Sequence, residues 1–143
     1  MGVKRKKTTK IILHCSAEPE GRTSTTVDTI TKWHKSRGFS TIGYHYVIYH
    51  DGSIHEGRGV DEVGAHTVGE NSVSIGICYL GGCDKNMKPK DTRTPEQREA
   101  MKKLINKLLV KYNLTPDDLY GHNDFAKKAC PSFDVKKYRI LFI

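Results

Sequence analysis

The sequence predicts one α/β domain, a central mixed β-sheet flanked by helices on both faces. Three observations predict it. Short apolar runs, Ile11-Ile12-Leu13 and Ser74-Ile75-Gly76-Ile77-Cys78-Tyr79-Leu80, have the length and bounding loops of buried strands. Two further segments repeat apolar residues at helical spacing. Between them, two aromatic and β-branched runs around Asp51-Gly52 carry the signature of a hairpin. At 143 residues the chain is long enough for one domain with a real core, burying roughly 68–70% of its unfolded surface.

Each element follows in order. After the first strand, Gly21-Arg22-Thr23-Ser24-Thr25-Thr26 offers several N-cap residues, and Val27, Ile30, Trp33 and His34 recur on one helical face up to Gly38. His34 is expected as a partly buried residue of that face, because nothing beside it completes a metal motif. In the hairpin, alternation sets Tyr44, Tyr46, Ile48 and His50 on one face against His45, Val47 and Tyr49 on the other. Both faces carry apolar bulk, so both sides of the sheet are expected to be covered. Gly64 to Asn71 reads as a polar loop feeding the strand Ser74–Leu80, and a lysine-rich excursion then runs to Arg93. Thr94-Pro95-Glu96-Gln97 supplies an N-cap, a first-position proline and a capping-box glutamine. Met101, Leu104, Ile105, Leu108, Leu109 and Tyr112 form the core stripe of the helix it opens. Leu119-Tyr120 is a short strand delivering His122, and Asp134 caps a terminal helix.

Composition narrows the function classes. Hydrophobic content of 36% and charged content of 28% describe a soluble globule, with no apolar run approaching the ~20 residues of a membrane span, so no membrane insertion is expected. The segment Met1–Lys10 is basic, but the apolar stretch behind it is only Ile11 to Leu13, too short for a signal peptide. Residues 1–10 are therefore expected as a solvated, disordered tail ahead of a domain spanning 11–143. A net charge of +8 admits any polyanion, yet no helix-turn-helix, finger spacing or RNA-binding strand signature specifies nucleic acid, which is not expected as the main partner.

The chemistry concentrates near the C-terminus. Gly121-His122-Asn123-Asp124-Phe125-Ala126-Lys127-Lys128-Ala129-Cys130-Pro131 places an imidazole and a thiol in one loop, with Lys128 two residues before the thiol. Zinc takes neutral imidazole and thiolate together, and two ligands need only one or two more to close a tetrahedral site. His14 is the best outside candidate, because it follows the first apolar run and sits at a strand end. If His14 points to a site, alternation turns its neighbour Cys15 into packing as a small buried hydrophobe. Cys78 and Cys83 would close only a tiny loop, and both are expected to stay reduced.

These residues bring the chain to a family it resembles. It is similar to the zinc-dependent N-acetylmuramoyl-L-alanine amidases of the phage-lysozyme and peptidoglycan-recognition type, from about Ile11 to Phe133. The carriers are Leu13-His14-Cys15-Ser16, Trp33-His34, Gly43-Tyr44-His45-Tyr46, Asp51-Gly52, Glu56-Gly57-Arg58, Val63-Gly64-Ala65-His66, Asn71, Ser74-Ile75-Gly76-Ile77 and the block His122 to Phe133. The resemblance implies one zinc (Zn2+) on His14, His122 and Cys130 with a fourth position left for water, the pattern of a catalytic rather than a structural site. His45, His50 and His66 remain open as a fourth ligand. It further implies Lys128 as the oxyanion partner and Tyr44 as the group that orients or deprotonates the water. A tyrosine near its ordinary pKa of ~10 is a poor base at neutral pH, so the metal would have to depress it. Arg58, His66 and Asn71 are implied as substrate contacts. The implied substrate is peptidoglycan, cut between N-acetylmuramic acid and L-alanine by a monomer made in the cytoplasm and acting on the cell wall. A non-catalytic peptidoglycan-binding module is the alternative, disfavoured by the retained Cys130.

Overall fold

The computed structural model describes residues 2–142. Its elements are β1 (Lys10–Cys15), β2 (Glu18–Pro19), α1 (Val27–Ser36), β3 (Tyr46–Ile48), β4 (Ile54–Glu56), β5 (Ser74–Tyr79), β6 (Gly82–Cys83), α2 (Pro95–Lys111), β7 (Leu119–Gly121) and α3 (Val135–Tyr138). Five strands make the central sheet in the order β4-β3-β5-β1-β7. β3, β5, β1 and β7 run parallel and β4 is antiparallel at one edge, so the sheet is mixed as expected. The small pair β2-β6, which joins the loop after β1 to the start of the lysine-rich excursion, has no hydrophobic pattern and was not legible from the sequence.

β1 lies inside the sheet, between β5 and β7, and its residues are apolar on both faces. Ile11, Leu13 and Cys15 enter one core with Ile75, Ile77 and the α2 residues Met101, Leu104, Ile105 and Leu108. α2 has the caps its sequence promised, with the Thr94 side chain accepting from Gln97 N and the Gln97 side chain accepting from Thr94 N. On the opposite face, Ile30 of α1 packs with Ile42, Val47 and Leu80. Trp33, expected on the buried stripe of α1, is instead 42% exposed, and only Ile30 and His34 of that helix are buried. All four cysteines are free. Among the described residues no helix is long and apolar enough to cross a membrane.

Two sequence expectations change here. The hairpin alternation holds for Tyr46 to Tyr49, but Tyr44 joins Val47 and Tyr49 rather than Tyr46 and Ile48. The reason is that β3 begins only at Tyr46, and the chain bends through residues 43–45, where period-two alternation does not apply. The basic segment expected as a solvated tail is laid on the fold. Lys4 makes an isolated antiparallel backbone bridge with Glu62, Arg5 Nη1 donates to the carbonyls of Val60 and Glu62, and Lys10 opens β1 and pairs with Glu70 at 2.7 Å. These charge-assisted hydrogen bonds to backbone carbonyls fix the guanidinium on the fold despite the like charges within the segment.

Candidate metal centre

β1 and β7 are adjacent and parallel, with Leu13 opposite Gly121, so His14 and His122 leave the sheet side by side at their carboxyl ends. Their ring centroids are 4.6 Å apart. The loop after His122 folds back, Asn123 N donating to the Cys130 carbonyl at 2.8 Å, and this carries Cys130 to the end of β1. There Cys15 N–H donates to Cys130 Sγ at 3.2 Å, and the same sulfur lies 3.8 Å from His14 Nδ1. One donor atom from each of His14, His122 and Cys130 lies within 4.8 Å of the others. His122 and Cys130 are close along the chain, and it is the β1–β7 pairing that brings His14 to them.

The local electrostatics suit a cation. Burial holds His14 well below the ordinary histidine range, aided by the neighbouring His66, His122 and Lys128, and burial followed by Lys128 lowers His122. Both imidazoles are therefore neutral and able to ligate. The contact with the Cys15 side chain, followed by burial, pushes the Cys130 thiol up. A divalent ion would release that proton, as it does for any coordinating thiol. Two neutral imidazoles and one sulfur match zinc's preferred donors, so the residues present fit the ion. Cys15 itself is buried in the core, as expected, but with its sulfur beside Ser132 Oγ at 3.8 Å and in contact with Cys130.

The cluster opens onto a groove of about 320 Å³ lined by His34, Arg37, Phe39, Tyr44, Ala65, His66, Thr67, Val68, Asn71, His122 and Lys128. Tyr44 stands over His14 with ring centroids 5.0 Å apart. Burial, then the cysteine sulfurs, push its phenol well above the ordinary value, so it carries its proton at neutral pH. Lys128 is exposed on the rim, with no carboxylate partner among the described residues. His66 and Asn71 line the groove, and Asn71 Oδ1 also accepts from the backbone N–H groups of His66 and Thr67 at 2.8 and 2.9 Å, shaping its wall.

Arg58 is a correction. Its guanidinium donates to the part-buried backbone carbonyls of Ile42, Val63 and Thr41, which hold it away from the groove it was expected to line. His45 and His50 also leave the list of possible ligands, since neither joins the cluster. Sequence reasoning missed His34, Arg37, Phe39, Thr67 and Val68 as lining residues. The one available signal was the cation at the C-terminus of α1 followed by Gly38 and an aromatic, which places a turn at the groove edge.

The N-acetylmuramoyl-L-alanine amidase family model matches residues 4–133. The chain belongs to that family. Among curated relatives of the amidase, the endolysin of Klebsiella phage KP32 is 42% identical over 139 residues, covering 94% of this chain and 87% of the relative. The endolysin of Escherichia phage T7 is 39% identical over 134 residues with the same coverage. Among solved structures, the N-acetylmuramoyl-L-alanine amidase LysCS from Clostridium intestinale URNW aligns with a TM-score of 0.79 at 31% identity, covering 92% of this amidase and 83% of that chain. Drosophila PGRP-LB aligns with a TM-score of 0.77 at 27% identity, over 92% and 79% respectively.

Proposed function

We propose that the chain is a zinc-dependent endolysin-type amidase that hydrolyses the bond between N-acetylmuramic acid and the L-alanine beginning the peptidoglycan stem peptide. The observation that carries this reading is the convergence of His14, His122 and Cys130 donor atoms within 4.8 Å beside a groove that His122 lines. Family membership supplies the substrate class, since the relatives are endolysins and amidases.

His14, His122 and Cys130 would hold one zinc, which when bound acidifies water and polarises an amide carbonyl. Lys128, whose charge is unpaired and which reaches the same groove, stabilises the negative charge that develops on the amide oxygen. Tyr44 retains its proton and acts as a hydrogen-bond donor that orients the reacting groups rather than as the base. Arg37, Phe39, Thr67, Val68 and Asn71 form walls that seat the saccharide and peptide.

Incubation of the purified protein with muropeptides should release peptides that begin with L-alanine, followed by mass spectrometry. Chelation should stop the release and added zinc restore it. Bound zinc without any cleavage would overturn the amidase reading, and saccharide-peptide binding without turnover would replace it with a recognition module.

A further inference from the structure

One buried polar chain behind the donor atoms has a direction that can be read from its far end. Ser74 Oγ lies 2.7 Å from the Glu70 carbonyl, which can only accept, so the single hydroxyl proton of Ser74 is committed there. His66 Nε2, 3.3 Å from Ser74 Oγ, must then be the protonated nitrogen, leaving His66 Nδ1 as an acceptor. That Nδ1 is 2.9 Å from His14 Nε2. His14 therefore carries its proton on Nε2 and its lone pair on Nδ1, the nitrogen 3.8 Å from Cys130 Sγ. Thr67 Oγ1 is compatible with the same direction, lying 3.3 Å from His14 Nε2, whose proton it can share as an acceptor.

The ring of His66 is also held against rotation. A Cβ at Gly76 would lie 2.7 Å from His66 Cγ, and a Cβ at Gly64 would lie 2.7 Å from its Cδ2. Two glycines thus form a slot that admits the imidazole flat against β5. In it His66 meets the His14 ring edge-on, at 89° and 4.9 Å between centroids.

We propose that His66 is a positioning residue of the metal centre. The relay from the Glu70 carbonyl through Ser74 and His66 fixes His14 in the tautomer that presents an unprotonated Nδ1 to the ion. This rests on the zinc reading above and moves His66 from a substrate contact to the support of a ligand. Outer-shell partners of metal-bound histidines commonly contribute 10–100-fold in metal affinity by fixing tautomer and orientation.

The test is zinc affinity, by competition with a chromophoric chelator, together with histidine tautomers from nitrogen NMR shifts in the chelator-treated protein. The parent should show His14 protonated on Nε2. His66→Ala should weaken zinc binding by about 10–100-fold and let His14 populate both tautomers. His66→Gln, whose amide oxygen can accept the His14 proton, should recover most of that loss, which a purely space-filling role would not predict. Ser74→Ala removes the anchor without touching the ring and should produce a smaller weakening of the same sign. Zinc affinity within about twofold of the parent in both His66→Ala and Ser74→Ala would overturn the proposal, given the usual outer-shell effect. So would a parent His14 protonated on Nδ1. If His66→Ala does not fold, the parent tautomer and Ser74→Ala decide alone. A parent that binds no zinc removes the proposed function and this role with it, whereas zinc binding insensitive to either substitution removes only the relay.

Discussion

Two pairs of the seven histidines, His34 with His45 and His14 with His122, differ in where their ring nitrogens are spent. Around the hairpin they serve the backbone. His34 Nδ1 accepts from Gly43 N–H at 2.8 Å, and His45 accepts from Gly76 N–H on Nδ1 at 3.0 Å while donating from Nε2 to the Glu62 carbonyl at 2.8 Å. At the carboxyl ends of β1 and β7 they do not. His14 turns Nδ1 toward Cys130, and the His122 ring nitrogens have no protein hydrogen-bond partner among the described residues. Burial keeps His14, His34 and His45 neutral alike, so neutrality does not distinguish a ligand from a scaffold residue. An uncommitted nitrogen does.

The comparison can be broken most forcefully at Cys130. Cys130→Ser should lower zinc affinity by more than about 100-fold, beyond the usual outer-shell effect, and bring amidase activity to background. Elemental analysis after dialysis checks this, and a zinc-replete active variant would dissolve the distinction between the two regions. Next, Lys128→Ala should reduce kcat by about 10²–10³-fold with zinc content unchanged, as expected for loss of one oxyanion donor. Steady-state kinetics on muropeptides reads it, and a change confined to KM would assign Lys128 to binding instead.

On the scaffold side, His45→Ala should leave zinc stoichiometry intact but cost about 1–3 kcal/mol of stability, because the buried Gly76 N–H loses its partner while the Glu62 carbonyl keeps Arg5. Urea unfolding of zinc-loaded protein measures it. The last effect is a pH dependence. Burial lowers His45 to about 4 and His66 to about 3, below the unfolded value of ~6.5. Above that unfolded value neither state binds the proton and stability is flat. Between it and the folded values only the unfolded chain takes up protons, so stability falls as pH falls, by up to about 1.4 kcal/mol per pH unit for each histidine. Denaturant midpoints of chelator-treated protein across this range should show the loss, and a flat profile would mean that the scaffold histidines are charged in the folded state.

Much of this was legible along the chain, for identifiable reasons. The capping box at Thr94 and Gln97 and the stripe from Met101 to Leu109 are local devices, and they appear as read. His14 and His122 were placed at strand ends because an apolar run followed by a histidine needs no distant information. Arg58 and Trp33 were misread for the opposite reason. Whether an arginine meets substrate or carbonyl, and whether a tryptophan at helical spacing meets core or solvent, depends on what the rest of the chain brings beside it. Arg58 met three carbonyls, and Trp33 reached the edge of a small side chamber with Ile30, His34, Arg37 and Tyr44.

Residue order alone was enough for the fold class, the strand and helix that bear each function, and the family to which the chain belongs. Those features follow from periodicity, capping and motif order, all of which are written over short stretches. Whether His45, His50 or His66 adds to His14, His122 and Cys130, which groups stand behind His14, and where residues 2–10 lie were decided only in three dimensions. Each depends on parallel register between β1 and β7 and on hydrogen-bond partners dozens of residues away, and no local pattern encodes either.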